Sequence, residues 1–323
     1  MVRAFAVCAV LLIGSLAASA QPAPPQENVT VTAAKSREVF AGFAKAFARP
    51  APITGKLVRW ETGICPLAVG QAPALTGFVT ARVKAIAAAA GAPVNESKSC
   101  TPNIEIVFTS APQDLLDNIR KHDPDYLGYA ETSALREKLA TVTHPIQAWY
   151  ATETIDLNGM RRVDSARRLG GGATMANFTA FAMPYTSAAN RDPISFPDAT
   201  YARVTGNHIS DGVHSGFHHI IIAVDSGKLA GKDFVPLADY ITLLALTQPD
   251  SLDSCQQLPS VVNLMAPECD QRVGGITAAD LAYLSGLYKM GADKSLIFQQ
   301  SEIVDRMKER LERPGPVAAR DKQ

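Results

Sequence analysis

Residues 237–290 constrain the fold of this chain more than any other stretch. The first part, residues 237–248, is apolar nearly all round, so it predicts a helix that is buried on every side. A loop with two cysteines and a Met-Ala-Pro sequence follows. Thr277, with Asp280 three residues later, then predicts the capped start of another helix. A helix without a polar face needs covering layers, which the rest of the chain must supply.

This order of elements resembles the second half of the catalytic domain in zincin metalloproteases, the metzincin and matrixin branch most of all. In that family a zinc-binding helix (HExxHxxGxxH) leads to a Met-turn and then to a helix of the type LTxxDxxxxxxLYG. Here residues 243–246 (LLAL) match the family's ALGL, Met265 matches the Met-turn, and residues 276–288 match the last helix. The resemblance implies a zincin-like fold in which the long helix lies under a sheet.

The same match places Ala238, Thr242 and Gln248 at the positions of the three zinc-ligating histidines, and Asp239 at the general-base glutamate. Two histidines at i and i+4 bind one ion from one helix face, and alanine and threonine cannot replace them. The resemblance therefore predicts a pseudoenzyme without catalytic residues and without a cofactor. We expect Asp239 to be hydrogen-bonded near the N-terminus of its helix, where its charge is favourable.

His214, His218 and His219 are weak candidates for metal ligands, and they support the alternative of an active metallopeptidase-like hydrolase. The run HHIIIAV at residues 218–224 predicts a strand, because it is β-branched and apolar without alternation. Four strand residues span about 13 Å, and His218 and His219 would point to opposite faces. Only a turn at residues 215–216 would bring His214 back toward them, so we expect strand-edge histidines instead.

The N-terminus predicts an exported protein. Arg3 precedes an apolar run at residues 4–16, and Ala18-Ser19-Ala20 is a small-residue cleavage site, so residues 1–20 form a signal peptide. The apolar run is too short for a comfortable bilayer span, although a retained signal anchor is the alternative. Residues 21–32 are Pro-rich and predict a flexible leader. The mature chain is expected to be periplasmic or secreted, with no membrane span.

Four cysteines remain after such cleavage, and an even number in an oxidising compartment predicts two disulfides. Three pairings are possible, and we favour the sequence-local one, Cys65–Cys100 and Cys255–Cys269. The second bond would then close the loop around Met265. A zinc site built from all four cysteines is the alternative, but the chain has no CxxC spacing to support it.

Periodicity predicts one α+β domain over residues 33–312, a mixed β-sheet with packed helices and a helical C-terminal part. In residues 74–90 the apolar stripe contains Phe78, Val79, Val83 and Ile86. The Asn158-Gly159 pair predicts a hairpin between residues 145–155 and 160–164. Predicted helices span residues 36–47, 74–90, 112–121, 237–248, 276–288 and 295–311; further strands span residues 56–61, 103–109, 201–209 and 218–224.

Two segments carry little regular pattern. Residues 165–202 contain three consecutive glycines and scattered prolines, so they predict a long surface loop. A hydrolase unrelated to zincins would need a polar cleft in that loop. Residues 313–323 predict a mobile tail.

Composition restricts the choice of partners. The chain has 31 Lys and Arg residues and 31 Asp and Glu residues, so it carries no net charge that would favour binding to nucleic acid. The stretches RWETGICP and CTPNIEIVF also resemble an exported proteobacterial family with no established activity. Together these features predict a non-catalytic binding or structural protein of the cell envelope, whose partner is an envelope protein or a peptide.

Overall fold

The computed structural model describes residues 33–165, 203–204, 209–229, 231–267 and 269–312. The predicted signal peptide and leader, the tail from residue 313 and nearly all of the predicted 165–202 loop lie outside these residues. The described residues all belong to one compact unit. Its described part combines helices with a mixed sheet, which confirms the predicted α+β class.

The described helices and strands follow the predicted order closely. The α-helices are α1 (Ala33–Ala46), α2 (Pro73–Ala90), α3 (Pro112–His122), α4 (Ser133–Leu139), α5 (Phe234–Leu246), α6 (Ala278–Lys289) and α7 (Leu296–Glu312). The strands are β1 (Val58–Arg59), β2 (Pro66–Val69), β3 (Ile104–Thr109), β4 (Ile146–Ile155), β5 (Arg161–Val163) and β6 (His214–Asp225). Short 3-10 turns cover Pro124–Leu127 and Val261–Leu264.

The sheet is built around β6. The strand order is β2-β3-β6-β4-β5, with β1 also paired to β6. β1 and β3 run parallel to β6, whereas β4 runs antiparallel to it. Ile220, Ile221 and Ile222 are fully buried although they alternate between faces, so this strand is covered on both sides as its sequence predicts.

The N-terminal strands differ from the prediction. The strand predicted at residues 56–61 is reduced to the two residues of β1, and β2 forms at residues 66–69, where no strand was predicted. Because β6 has twelve residues, one of its edges accommodates β1 beside Ser215 and then β3 from Ile220 onward. On its other side, β3 pairs with β2. This short strand begins with proline, so its sequence does not indicate a strand.

The β4–β5 hairpin forms as predicted, with Gly159 at a φ of 77° in its turn. Phe78 does not face the core: it is 39% exposed and contacts the ring of Phe234, while Val79 and Val83 are fully buried. The predicted 201–209 strand lies largely outside the described residues, and Arg203 and Val204 belong to no strand.

Helix α5 is the buried helix that the sequence predicts, and its C-terminal carbonyls are satisfied by side chains from three other elements. Trp60 Nε1 donates to the Ala245 carbonyl at 2.8 Å. The Tyr150 hydroxyl donates to the Leu244 carbonyl at 3.1 Å, and the Tyr288 hydroxyl donates to the Leu246 carbonyl at 2.9 Å. Burial raises the pKa of Tyr150 well above its ordinary value of 10.0, so the phenol keeps the proton that it donates.

Helix α6 begins with the predicted capping box. The Thr277 hydroxyl accepts from the Asp280 N–H at 3.1 Å, and the Asp280 carboxylate accepts from the Thr277 N–H at 3.0 Å. Asp280 is fully buried and also accepts from the Ser260 hydroxyl and the Val261 N–H. Burial raises the pKa of Asp280 in spite of these donors. The carboxylate joins the start of α6 to the turn that leads to Met265.

Both predicted disulfides are present, Cys65–Cys100 and Cys255–Cys269. The first stands just before β2 and β3 and holds the starts of these neighbouring strands together. The second encloses the loop with the 3-10 turn at Val261–Leu264. Two such bonds fit a protein of an oxidising compartment.

We expect Tyr150→Phe to lower the free energy of unfolding by about 1–2 kcal/mol, because it leaves the buried Leu244 carbonyl without its donor. Urea denaturation measures the change. Tyr129→Phe is the matched control, since the Tyr129 hydroxyl makes no hydrogen bond within the described residues. That variant should change stability by less than about 0.5 kcal/mol. Equal effects of the two substitutions would contradict the role given to Tyr150.

Candidate functional site: a groove at the open edge of β4

Two of the three positions that match zinc ligands lie inside the core. Ala238 and Thr242 share one face of α5, and both are fully buried. The Thr242 hydroxyl donates to the Ala238 carbonyl at 2.7 Å, which satisfies it within the helix. Gln248 lies beyond the end of α5 and lines a cavity at the surface. The structure therefore does not bring these three residues together around an open position.

Asp239 is held by an ion pair that the sequence did not reveal. The Arg82 guanidinium of α2 donates to both carboxylate oxygens, from Nε at 2.5 Å and from a terminal nitrogen at 2.9 Å. The Ile276 N–H donates to Oδ2 at 2.7 Å, and the hydrogen bond with Asp239 raises the pKa of Arg82. Asp239 is hydrogen-bonded, as expected. Its partners are Arg82 of α2 and the Ile276 N–H just before α6. A side chain at Gly275 would lie 2.6 Å from Oδ2, so that residue must be small.

Met265 lies directly after the 3-10 turn at Val261–Leu264 and packs against the main core. This placement is that of a packing residue. The Ser260–Asp280 hydrogen bond holds the turn from one side, and the Cys255–Cys269 disulfide closes the loop around it.

The three histidines lie along β6 and are separated by its extended backbone. The strand runs straight through Ser215 and Gly216, so the turn that would return His214 toward His218 is not formed. His218 Nδ1 lies 3.8 Å from Glu153 Oε2 on one face. His219 faces the other side, which corrects the expectation that it lies at a strand edge.

His219 belongs to a buried polar pair on the α3 face of the sheet. Its Nε2 lies 3.5 Å from Glu105 Oε1, and both side chains are almost fully buried. The Tyr126 ring meets the imidazole edge-on, with 4.7 Å between ring centroids. In the sequence, the pair was indicated only by Glu105, the charged residue within the apolar strand at residues 103–109.

Among the described residues, no strand pairs with the outer edge of β4 along most of its length. β5 pairs with β4 only between Glu153 and Ile155, because β5 has three residues and β4 has ten. The Asp225 N–H donates to the Pro145 carbonyl, so the odd-numbered residues of this half of β4 bond to β6. The N–H and C=O groups of Ala148 and Tyr150 therefore point outward. Within the described part of the chain, no backbone hydrogen bond reaches them.

A cavity of about 320 Å³ lies at this open edge. β4 forms its floor between Gln147 and Thr152. Residues 127–129 and α4 form one wall, and Arg49, Pro52 and residues 248–253 form another. Gly128 lies so close to the Tyr150 carbonyl that a side chain there would approach its oxygen to 2.7 Å. We call this cavity the β4 groove.

The second wall of the β4 groove is fixed by hydrogen bonds. The Arg49 N–H donates to the Gln248 carbonyl at 3.3 Å, and the Asp250 N–H donates to the Ala46 carbonyl at 2.9 Å. His144 Nε2 lies 2.9 Å from Asp253 Oδ1, which joins this wall to the start of β4. The groove is thus formed before any ligand binds.

Two features of the groove lack partners within the described residues. The Oε1 atom of Gln248 is buried and accepts no hydrogen bond. The side chains of Arg49 and Lys138 are exposed and make no ion pair there. Sequence reasoning singled out Gln248 for its position in the zincin pattern and missed both cations, because they lie far apart in the sequence.

Comparison with protein-family models, with curated proteins and with solved structures finds no match for this chain. The zincin resemblance therefore stays a prediction, as does the resemblance to an exported family. Within the described ranges, no helix is long and apolar enough to cross a bilayer. No three His, Cys, Asp or Glu side chains among those residues are grouped so that they could hold a metal ion.

We expect Arg82→Gln to lower the free energy of unfolding by about 2–3 kcal/mol, because it leaves a buried carboxylate without its cation. This is below the usual cost for a buried pair, since the Arg82 side chain is 34% exposed. Arg120→Gln removes a guanidinium from an exposed pair with Glu137 and should cost less than about 1 kcal/mol. Urea denaturation of both variants makes the comparison, and equal losses would contradict a structural role for Asp239.

Proposed function

We propose that this chain is a non-catalytic binding protein of the cell envelope that holds an extended peptide segment of a partner in the β4 groove. The open edge of β4 is the observation that carries the proposal. An unpaired strand edge offers N–H and C=O groups in the spacing that an added strand requires. The outward N–H and C=O of Ala148 and the outward N–H of Tyr150 offer part of this pattern between two preformed walls, while Gly128 lies against the Tyr150 carbonyl.

The interior of the fold supports a non-catalytic role. In the zincin resemblance, the helix equivalent to α5 would present ligands to an open cleft. Here Ala238, Asp239 and Thr242 are all fully buried, and Asp239 is committed to Arg82 and Ile276. These contacts support a structural role for α5 in the core. Stoichiometric, tightly held zinc in the purified protein would contradict this part of the proposal and favour a metallopeptidase-like hydrolase.

The N-terminus and the cysteines support the proposed compartment. The signal-peptide pattern of residues 1–20 supports export, and the two disulfides fit the oxidising environment that export reaches. A periplasmic or secreted protein with an open strand edge meets peptide segments of other envelope proteins. An exposed edge is also a liability for aggregation, which the flanking walls of the β4 groove reduce.

We expect Ala148→Pro to weaken peptide binding about tenfold or more, because proline removes an outward N–H and blocks the approach of a strand. The ladder to β6 should survive, since that N–H does not take part in it. The probe is a pool of synthetic ten-residue peptides of random sequence. Peptides that the protein retains are identified by mass spectrometry, and their affinities are measured by calorimetry.

Ala148→Ser is the matched control, because it keeps the N–H and a small side chain at the same position. Circular dichroism and thermal melting verify that both variants are folded. Hydrogen exchange supplies a measurement on the unmodified protein: the amides of Ala148 and Tyr150 should exchange more slowly when peptide is bound. Protection elsewhere with none at these two amides, or no retained peptide at all, would refute the proposal.

A further inference from the structure

The β4 groove has one wall on each face of the sheet. Successive side chains of a strand point to opposite faces. Trp149 points to one face, where it packs with Leu127 and Leu139 and its indole N–H donates to the Leu139 carbonyl at 2.6 Å. Leu127 and Leu139 belong to the wall formed by residues 127–129 and α4, which we call the α4 wall. This wall therefore lies on the face of Trp149.

Tyr150, the next residue, points to the other face, where its hydroxyl reaches the end of α5. Leu252 packs against the same core cluster as Tyr150. The wall formed by Arg49, Pro52 and residues 248–253 therefore lies on this second face, and we call it the α5 wall. A strand added to the edge of β4 continues the plane of the sheet, so it would lie between the two walls.

The pairing with β4 decides which wall each ligand residue meets. Residues that stand opposite each other in neighbouring strands point to the same face. Ala148 shares the face of Tyr150, so a ligand residue opposite Ala148 would point to the α5 wall. Its two neighbours in the ligand would point to the α4 wall. Gly128 lies against the Tyr150 carbonyl, so the pairing is centred on Ala148.

Both walls present apolar side chains to these ligand positions. Leu135 and Leu139 line the groove from the α4 wall, and Pro249 and Leu252 line it from the α5 wall. Leu135 is half-buried and packs in neither core cluster, so its side chain is available to a ligand. Burial of a ligand side chain against either wall is favourable if that side chain is apolar and costly if it is polar and finds no hydrogen bond.

The charges of the lining do not select a ligand. Arg49 and Lys138 are balanced by Asp250 and Asp253. The lining therefore favours neither an anionic nor a cationic segment. Apolar contact on the two faces is the property that distinguishes one ligand from another.

We infer that the β4 groove selects extended segments with three consecutive apolar residues. This inference rests on the proposed function and names the ligand class of the same site. A strand with one face in water alternates apolar and polar residues, whereas a strand that is buried on both faces has a continuous apolar run. The partner is therefore a polypeptide that offers a central strand before its own sheet is complete, and not a folded protein with an amphipathic edge strand.

The experiment compares two synthetic ten-residue peptides of identical composition. In the run peptide three valines are consecutive at the centre, and in the alternating peptide serines separate the same three valines. The alternating peptide can place apolar side chains against only one wall in any register. We expect the run peptide to bind about tenfold or more tightly, as measured by calorimetry.

Leu135→Ser tests the α4 wall and Leu252→Ser tests the α5 wall. Each should weaken the run peptide about threefold to tenfold and leave the alternating peptide nearly unchanged, because that peptide can shift by one residue to face the intact wall. Leu75→Ser is the matched control, since Leu75 is 37% exposed on α2 and does not line the groove. Circular dichroism verifies folding. Leu135→Ser keeps the test decisive if Leu252→Ser disturbs the core.

The two hypotheses fail in different ways. If both peptides bind equally well and Ala148→Pro abolishes both, the groove holds a strand irrespective of its side chains, and only the inference is wrong. If the run peptide binds better but neither wall variant reduces its advantage, the preference arises on another surface and the inference is again wrong. If neither peptide binds and the random pool yields none, the proposed function falls and the inference falls with it.

Discussion

The C-terminal end of α5 is bonded to three other parts of the fold. A helix has no internal donors for its last four carbonyls, and these carbonyls lie in the core here. Trp60, Tyr150 and Tyr288 supply three donors, and the Thr247 N–H supplies the fourth at the Leu243 carbonyl. The three large side chains come from different parts of the fold. The sheet and α6 must therefore be in place for α5 to be buried with its last carbonyls hydrogen-bonded.

Much of this fold could be predicted from local chemistry. The apolar runs of α5 and β6, the Asn-Gly turn and the Thr277 capping box depend on residues close in sequence, and both disulfides join cysteines that are neighbours in the order of the mature chain. Strand β2 was missed because four residues led by proline carry too little pattern. The Asp239–Arg82 pair was missed for a different reason: it joins two helices 157 residues apart, and only their packing brings the charges together.

The β4 groove could not be predicted in the same way. It depends on a difference in length between β4 and β5, on the strand order of the sheet, and on walls from three distant segments. The hairpin pattern predicts that β4 and β5 pair, but it does not predict where along β4 the pairing ends. Gln248 was singled out because of a family pattern, and its actual place is explained by the end of α5 just before it. Arg49 and Lys138 look like ordinary surface cations in the sequence.

Tyr150 connects the core to the groove. Its hydroxyl donates to the Leu244 carbonyl of α5, while its backbone N–H and C=O point outward at the open edge of β4. Gln248, at the other wall, follows the same helix end. The edge strand and one wall are thus held by the interactions that bury α5, so little conformational entropy remains to be lost there when a strand is added. A groove that is rigid before binding favours recognition by backbone geometry, and it leaves the choice among ligands to the few side chains that line it.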